Sequence, residues 1–162
     1  MRNKNWIWFF FIMVALSIAA VGVNYWVNMS QQLKPEQLKA AQLLWKDKGP
    51  ASYDWRIRKE INPAAGGDPE REEIIANVRA GQVIKATLNG KELEQRLLPK
   101  YDVSAWFDYF NEFMAIDTKP DARKVYCAAT FDPKDGHPLR YVRRVMGTRE
   151  RVELQFEFTP IR

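Results

Sequence analysis

The order of apolar and polar positions divides the chain into one unbroken apolar run and a longer stretch of short alternating patterns. The run extends from Trp6 to Val27, with nothing more polar inside it than Ser17 and Asn24. At about 1.5 Å of rise per residue such a helix is roughly 33 Å long, against a hydrocarbon core of about 30 Å. The pattern therefore predicts a transmembrane helix over residues 6–27. Trp6 and Trp8 at one end, and Tyr25 and Trp26 at the other, are expected to be membrane-interface anchors, because amphipathic rings prefer the headgroup layer.

Arg2 and Lys4 precede this run, while no Asp or Glu occurs before Glu36 and the first positive charge beyond the run is Lys34. That asymmetry predicts a cytoplasmic N-terminus over 1–5, a linker over 28–34 and an extracytoplasmic domain over 35–162. The expected location is the cell (inner) membrane, with a single-pass signal-anchor. Ala20-Val21-Gly22 leaves a cleaved signal peptide as the alternative, but apolar character continues past it. A lipoprotein is excluded because the only cysteine is Cys127, which also precludes an internal disulfide. Asn28-Met29-Ser30 fits a glycosylation sequon next to the run, and Ala15 and Ala19 form one small-x-x-x-small pair.

Beyond the run, the period changes repeatedly. Leu38, Ala41, Leu44 and Trp45 form one stripe of a helix over 35–48, begun by Pro35 and Glu36 and stopped by Gly49-Pro50. Tyr53, Trp55, Ile57 and Ile61 alternate with Asp54, Arg56, Arg58 and Glu60, which predicts a half-buried strand over 52–61. Strands over 72–79 and 82–88 make a hairpin through Ala80-Gly81. Asn89-Gly90 is a second turn signal, followed by a connection through Leu97, Leu98 and Pro99. Asp102 caps a second helix, ending near Ile116, in which Val103, Trp106, Phe107, Phe110, Phe113 and Met114 share a face. Three strands over 123–131, 138–146 and 149–158 complete the chain.

The predicted fold class is α+β: the transmembrane helix, then a helix-βββ-helix-βββ domain whose antiparallel sheet is covered by helices on one face. The twofold recurrence reads as an internal structural repeat. Phe107, Phe110, Trp55, Leu154 and Phe156 are expected to share one core, and Cys127, between Val125 and Ala129, to be a buried thiol.

Charge narrows the function. Of 25 basic residues, Arg2 and Lys4 precede the domain, so 23 face 20 acidic ones, too even a balance for a nucleic-acid surface. No Gly-rich turn joins a strand to a helix, so no phosphate or dinucleotide loop is expected. His137 is the only histidine, in the turn Asp132-Pro133-Lys134-Asp135-Gly136-His137-Pro138, and no nucleophile accompanies it. An EF-hand is excluded there, because Lys134 holds the third position and Arg143 the twelfth. The acidic group Asp68, Glu70, Glu72 and Glu73 is diluted by Arg71 and reads as the solvated start of a strand.

The basic segment Arg140, Arg143, Arg144, Arg149 and Arg151 is the strongest charge feature. Arg140, Arg143 and Arg144 are expected to be its interaction surface, for an acidic partner or anionic headgroups, although alternation sets Arg143 on the opposite strand face from the other two.

Three stretches together carry a resemblance. They are Ala41-Gln42-Leu43-Leu44-Trp45 leading to Ser52-Tyr53-Asp54-Trp55-Arg56-Ile57, then Tyr101-Asp102-Val103-Ser104-Ala105-Trp106-Phe107, then Phe131-Asp132 through Gly136-His137-Pro138. From Gln37 to Phe158 the chain resembles an uncharacterised bacterial domain-of-unknown-function family of small exported domains, lipoproteins or membrane-anchored. It departs from the lipoprotein members in lacking a lipidated cysteine. The resemblance implies a cell-envelope location and transfers no activity and no functional residue.

The sequence thus predicts a membrane-anchored, extracytoplasmic binding or interaction module without enzymatic activity or cofactor. Its expected partners are the lipid bilayer, through Trp6 to Val27, and another membrane or envelope protein, with no nucleic acid. The alternative is an accessory or structural subunit of a larger membrane protein complex.

Overall fold

The computed structural model describes the backbone of residues 4–30 and 32–161, and the side chains of residues 8–23 and 32–161. The residues fall into two compact units, Met1–Gln32 and Leu33–Arg162.

The first unit is helix α1 (Lys4–Ser30). Large apolar side chains between Trp8 and Val23 are exposed on it. Among the described residues no helix is long and apolar enough to cross a membrane. That finding corrects the expected transmembrane helix over 6–27 and, with it, the single-pass inner-membrane location. The finding is of residues 8–23, the part of α1 whose side chains are described. Of the four expected interface anchors, Trp8 is 64% exposed. Arg2, and the side chains of Trp6, Tyr25 and Trp26, lie outside the described residues.

The second unit opens with α2 (Pro35–Lys48). Pro35 fills the first helical position, where a missing N–H costs nothing, and the Lys34 N–H donates to Oε1 of Gln37 at 3.1 Å. The Gly49 N–H closes the last turn on the Trp45 carbonyl at 2.7 Å. Four strands follow, β1 (Tyr53–Asn62), β2 (Glu70–Arg79), β3 (Gln82–Leu88) and β4 (Lys91–Glu92). A 3-10 helix (Gln95–Tyr101) leads into α3 (Val103–Asp117), whose first turn is capped by Asp102 accepting the Ala105 N–H at 2.7 Å. Strands β5 (Val125–Phe131), β6 (Pro138–Val145) and β7 (Arg151–Pro160) end the described chain.

The seven strands form one antiparallel sheet in the order β4-β3-β2-β1-β7-β6-β5. The architecture is α+β, but the sheet is larger than the six strands expected. The extra strand arises because Asn89 and Gly90, both at positive φ, turn the chain back so that Lys91 and Glu92 pair with Leu88 and Thr87. Two residues are too short to show a period in the sequence. The strands β1 to β3 and β5 to β7 run in the same direction across the sheet, and the two sets meet where β1 pairs with β7, with Ile57 opposite Phe156.

Helices α2 and α3 cover one face of this sheet. Phe107, Phe110, Trp55, Leu154 and Phe156 are buried in one cluster, together with Leu38 and Ala41 of α2 and Ile57, Val78 and Tyr141 of the sheet. Phe110 stacks on Tyr141 at 4.4 Å and Trp55 on Phe156 at 5.7 Å. Cys127 packs against the cluster, half-buried. The opposite sheet face is a lattice of ion pairs, among them Asp54–Arg79 at 2.7 Å, Arg58–Glu157 at 2.9 Å and Arg71–Glu60 at 3.1 Å.

Candidate functional site

The face of α2 turned away from the core carries Lys39, Gln42, Leu43 and Lys46, spaced as one helical stripe beside the buried stripe of Leu38 and Ala41. This outer stripe overlooks a groove of about 610 Å³ that runs from α2 to the start of α3. Trp45, Tyr53 and Phe107 supply its aromatic wall, while Asp102, Ser104 and Gly81 form the far lip.

Local chemistry holds that wall rigid. Trp45 meets Tyr53 edge-on at 5.4 Å and Phe158 edge-on at 5.7 Å. The Tyr53 hydroxyl accepts the Val103 N–H at 3.2 Å, which ties β1 to the first turn of α3. Burial pushes the Tyr53 hydroxyl up to about 12, so it stays protonated at neutral pH. Burial also raises the Asp102 carboxyl, against the lowering effect of the Ala105 N–H that it accepts. Leu43, by contrast, leaves 57% of its surface in solvent at the rim. The groove is therefore preformed, apolar at its base and cationic along its α2 edge.

The three arginines expected as one interaction surface are separated by the structure. Arg143 is buried beneath α3, where Nε and Nη2 donate to Asp117 at 2.9 and 2.7 Å and Nη1 donates to Glu150 at 3.1 Å. Its guanidinium lies 4.8 Å from the Phe113 ring centre. Hydrogen bonds to Asp117 hold the Arg143 guanidinium above its ordinary pKa despite burial. Arg140 lies on the open sheet face and donates to Glu153 from Nε at 3.0 Å and Nη2 at 2.8 Å. Arg144 is exposed on that same face, opposite Arg151. Burial would raise the Glu153 carboxyl, but hydrogen bonds from Arg140 and Gln155 and the charge of Arg151 outweigh it and hold the group low.

Asp132, Asp135 and His137 have ligand atoms within 4.8 Å of one another, the grouping among the described residues that comes nearest to a metal site. Their bonding is engaged inside the turn. Asp132 accepts the Lys134 N–H at 2.7 Å, and Asp135 accepts the His137 N–H at 3.1 Å. The ring Nδ1 faces Asp135 at 2.5 Å and so carries its proton toward that carboxylate, while the ring stacks on Phe158 at 4.2 Å. The turn presses against α2 at Gly136 (φ +82°), where an added Cβ would lie 2.3 Å from the Ala41 carbonyl oxygen. This is a packing device that seats α2 on the sheet.

Sequence reasoning missed the groove. The spacing of Lys39, Gln42, Leu43 and Lys46 was visible, but only Leu43 is apolar, and the aromatic wall comes from three separate elements. No family model and no curated protein matches this chain.

Proposed function

We propose that the Leu33–Arg162 unit is a non-enzymatic binding module whose ligand lies in the groove between α2 and α3. The observation that carries this reading is the pairing of an aromatic wall (Trp45, Tyr53 and Phe107) with the cationic edge of Lys39 and Lys46 in a cavity of about 610 Å³. Ligand pockets commonly span about 300–1,000 Å³, with apolar walls and a few placed polar groups. The chemistry selects an amphiphilic anion: an aromatic or aliphatic body against the rings, and an acidic group toward the lysines. Asp102 adds one opposing charge, but its carboxylate is turned to the α3 backbone.

Anilinonaphthalene sulfonate has this chemistry and reports binding by fluorescence. Leu43→Glu combined with Lys46→Glu should weaken its binding to the full chain at least about fivefold, by removing apolar contact and reversing charge together. Unchanged affinity would remove the groove from consideration.

A second reading, a subunit of a larger assembly, is supported by α1. Its exposed residues include Phe9, Phe10 and Phe11 at 57–62% and Ile18, Val21 and Val23 at 62–70%, far beyond scattered single apolar residues. Protein isolated gently from its native source should then migrate with a larger complex; migration as a monomer would refute this reading.

A further inference from the structure

At the end of the sheet opposite the turn that seats α2, three arginines converge on one cleft. Asn62 ends β1, Arg151 begins β7 and Arg144 lies near the end of β6; register places Arg144 opposite Arg151, and Arg151 opposite Asn62, in one row across three strands. Arg149 adds a third guanidinium from the turn between β6 and β7. The loop from β1 to β2 closes the other side at Pro63, Gly66 and Gly67, leaving a cleft of about 350 Å³. Gly66 (φ +85°) lets this loop approach so closely that an added Cβ would lie 3.2 Å from Nη1 of Arg149.

The charges here do not cancel. Among the described ion pairs, Arg144 and Arg149 have no acidic partner, and Arg151 shares Glu153 with Arg140. Two like charges directly opposite on neighbouring strands destabilise a sheet. The same placement becomes favourable when an anion with several oxygens lies between the guanidinium groups, because each planar fork can donate two parallel hydrogen bonds.

We propose that this cleft binds a phosphate group, either free phosphate or the phosphoryl end of a small phosphomonoester. Tetrahedral oxygens satisfy forks arriving from two strands and a turn, and a double negative charge offsets the Arg144–Arg151 repulsion. The Asn62 amide lines the same cleft, whereas the Thr148 hydroxyl is engaged, donating to the Val145 carbonyl at 3.0 Å and accepting the Glu150 N–H at 3.1 Å. The site is separate from the α2–α3 groove in every lining residue and stands or falls independently of it.

The test is calorimetric titration of the full chain with inorganic phosphate and with glycerol phosphate, at fixed ionic strength of about 0.15 M. Arg144→Gln with Arg149→Gln should weaken phosphate binding at least about tenfold. Arg96→Gln, which removes an exposed guanidinium paired with Glu94, should leave it within about twofold. Arg149→Lys keeps the charge but loses the fork, and should fall between wild type and the double variant. Tighter binding of glycerol phosphate than of phosphate assigns the phosphomonoester; equal or weaker binding assigns the free ion. Phosphate binding no tighter than chloride, or an equal loss in Arg96→Gln, would overturn the proposal. Both substituted arginines are exposed, so circular dichroism of the variants should match the parent.

Discussion

Arg143 on β6 and Asp117 at the end of α3 form a two-pronged ion pair whose side chains are only 9% and 14% exposed. It ties the helix end to the sheet, and Glu150 takes the remaining prong at 3.1 Å. Asp117→Ala should therefore destabilise the fold by about 3 kcal/mol, since it leaves a buried guanidinium half-compensated. Replacing both partners with apolar residues should cost less. Urea unfolding of Asp117→Ala, Arg143→Met and the variant carrying both substitutions measures the difference.

Phe110 is 1% exposed and stacks on Tyr141. Its truncation to Ala should cost about 3–5 kcal/mol by the same measurement. A loss below about 1 kcal/mol would show that the site collapses around the missing ring.

Ala80 holds φ +50° in the turn from β2 to β3, a conformation that disfavours a Cβ. Asn tolerates it, and Asn-Gly is the favoured pair for this kind of turn. Ala80→Asn should therefore stabilise the protein, by about 0.5–1 kcal/mol. Thermal unfolding reads this as a higher Tm.

Burial pushes the Cys127 thiol up to about 11, and the Tyr53 hydroxyl up to about 12. Both groups are neutral in the fold at pH values where the unfolded chain ionises. A raised folded pKa gives stability that is fully present below the unfolded value and lost as pH rises toward the folded one. Stability should thus fall between about pH 9 and 12, Cys127 contributing first. Native Cys127 should also resist iodoacetamide at pH 8 and react once the protein is denatured.

Much of the second unit was legible because its signals are local. Pro35 and Gly49-Pro50 bound α2, and Ala80-Gly81 and Asn89-Gly90 bound β3, at the ends expected. Boundaries slipped where charge replaced apolar alternation. β2 begins at Glu70, earlier than Glu72, because pairing with β1 continues through Glu60–Arg71 and Ile61–Glu70. β7 begins at Arg151, after Thr148 has closed its turn on Val145 and Glu150. Alternation already set Arg143 apart from Arg140 and Arg144; the missing fact was that Asp117, far away in the chain, would bury it. The groove and the arginine cleft were illegible for the same reason, since each joins elements distant in sequence.

The most direct measurement for the groove is amide chemical-shift mapping of the full chain during titration with anilinonaphthalene sulfonate. Saturable shifts should cluster on residues 39–51 and 102–107, with the Trp45 indole among the largest. Shifts confined to residues 8–23, or scattered over the charged sheet face, would contradict the assignment of the groove as the binding site.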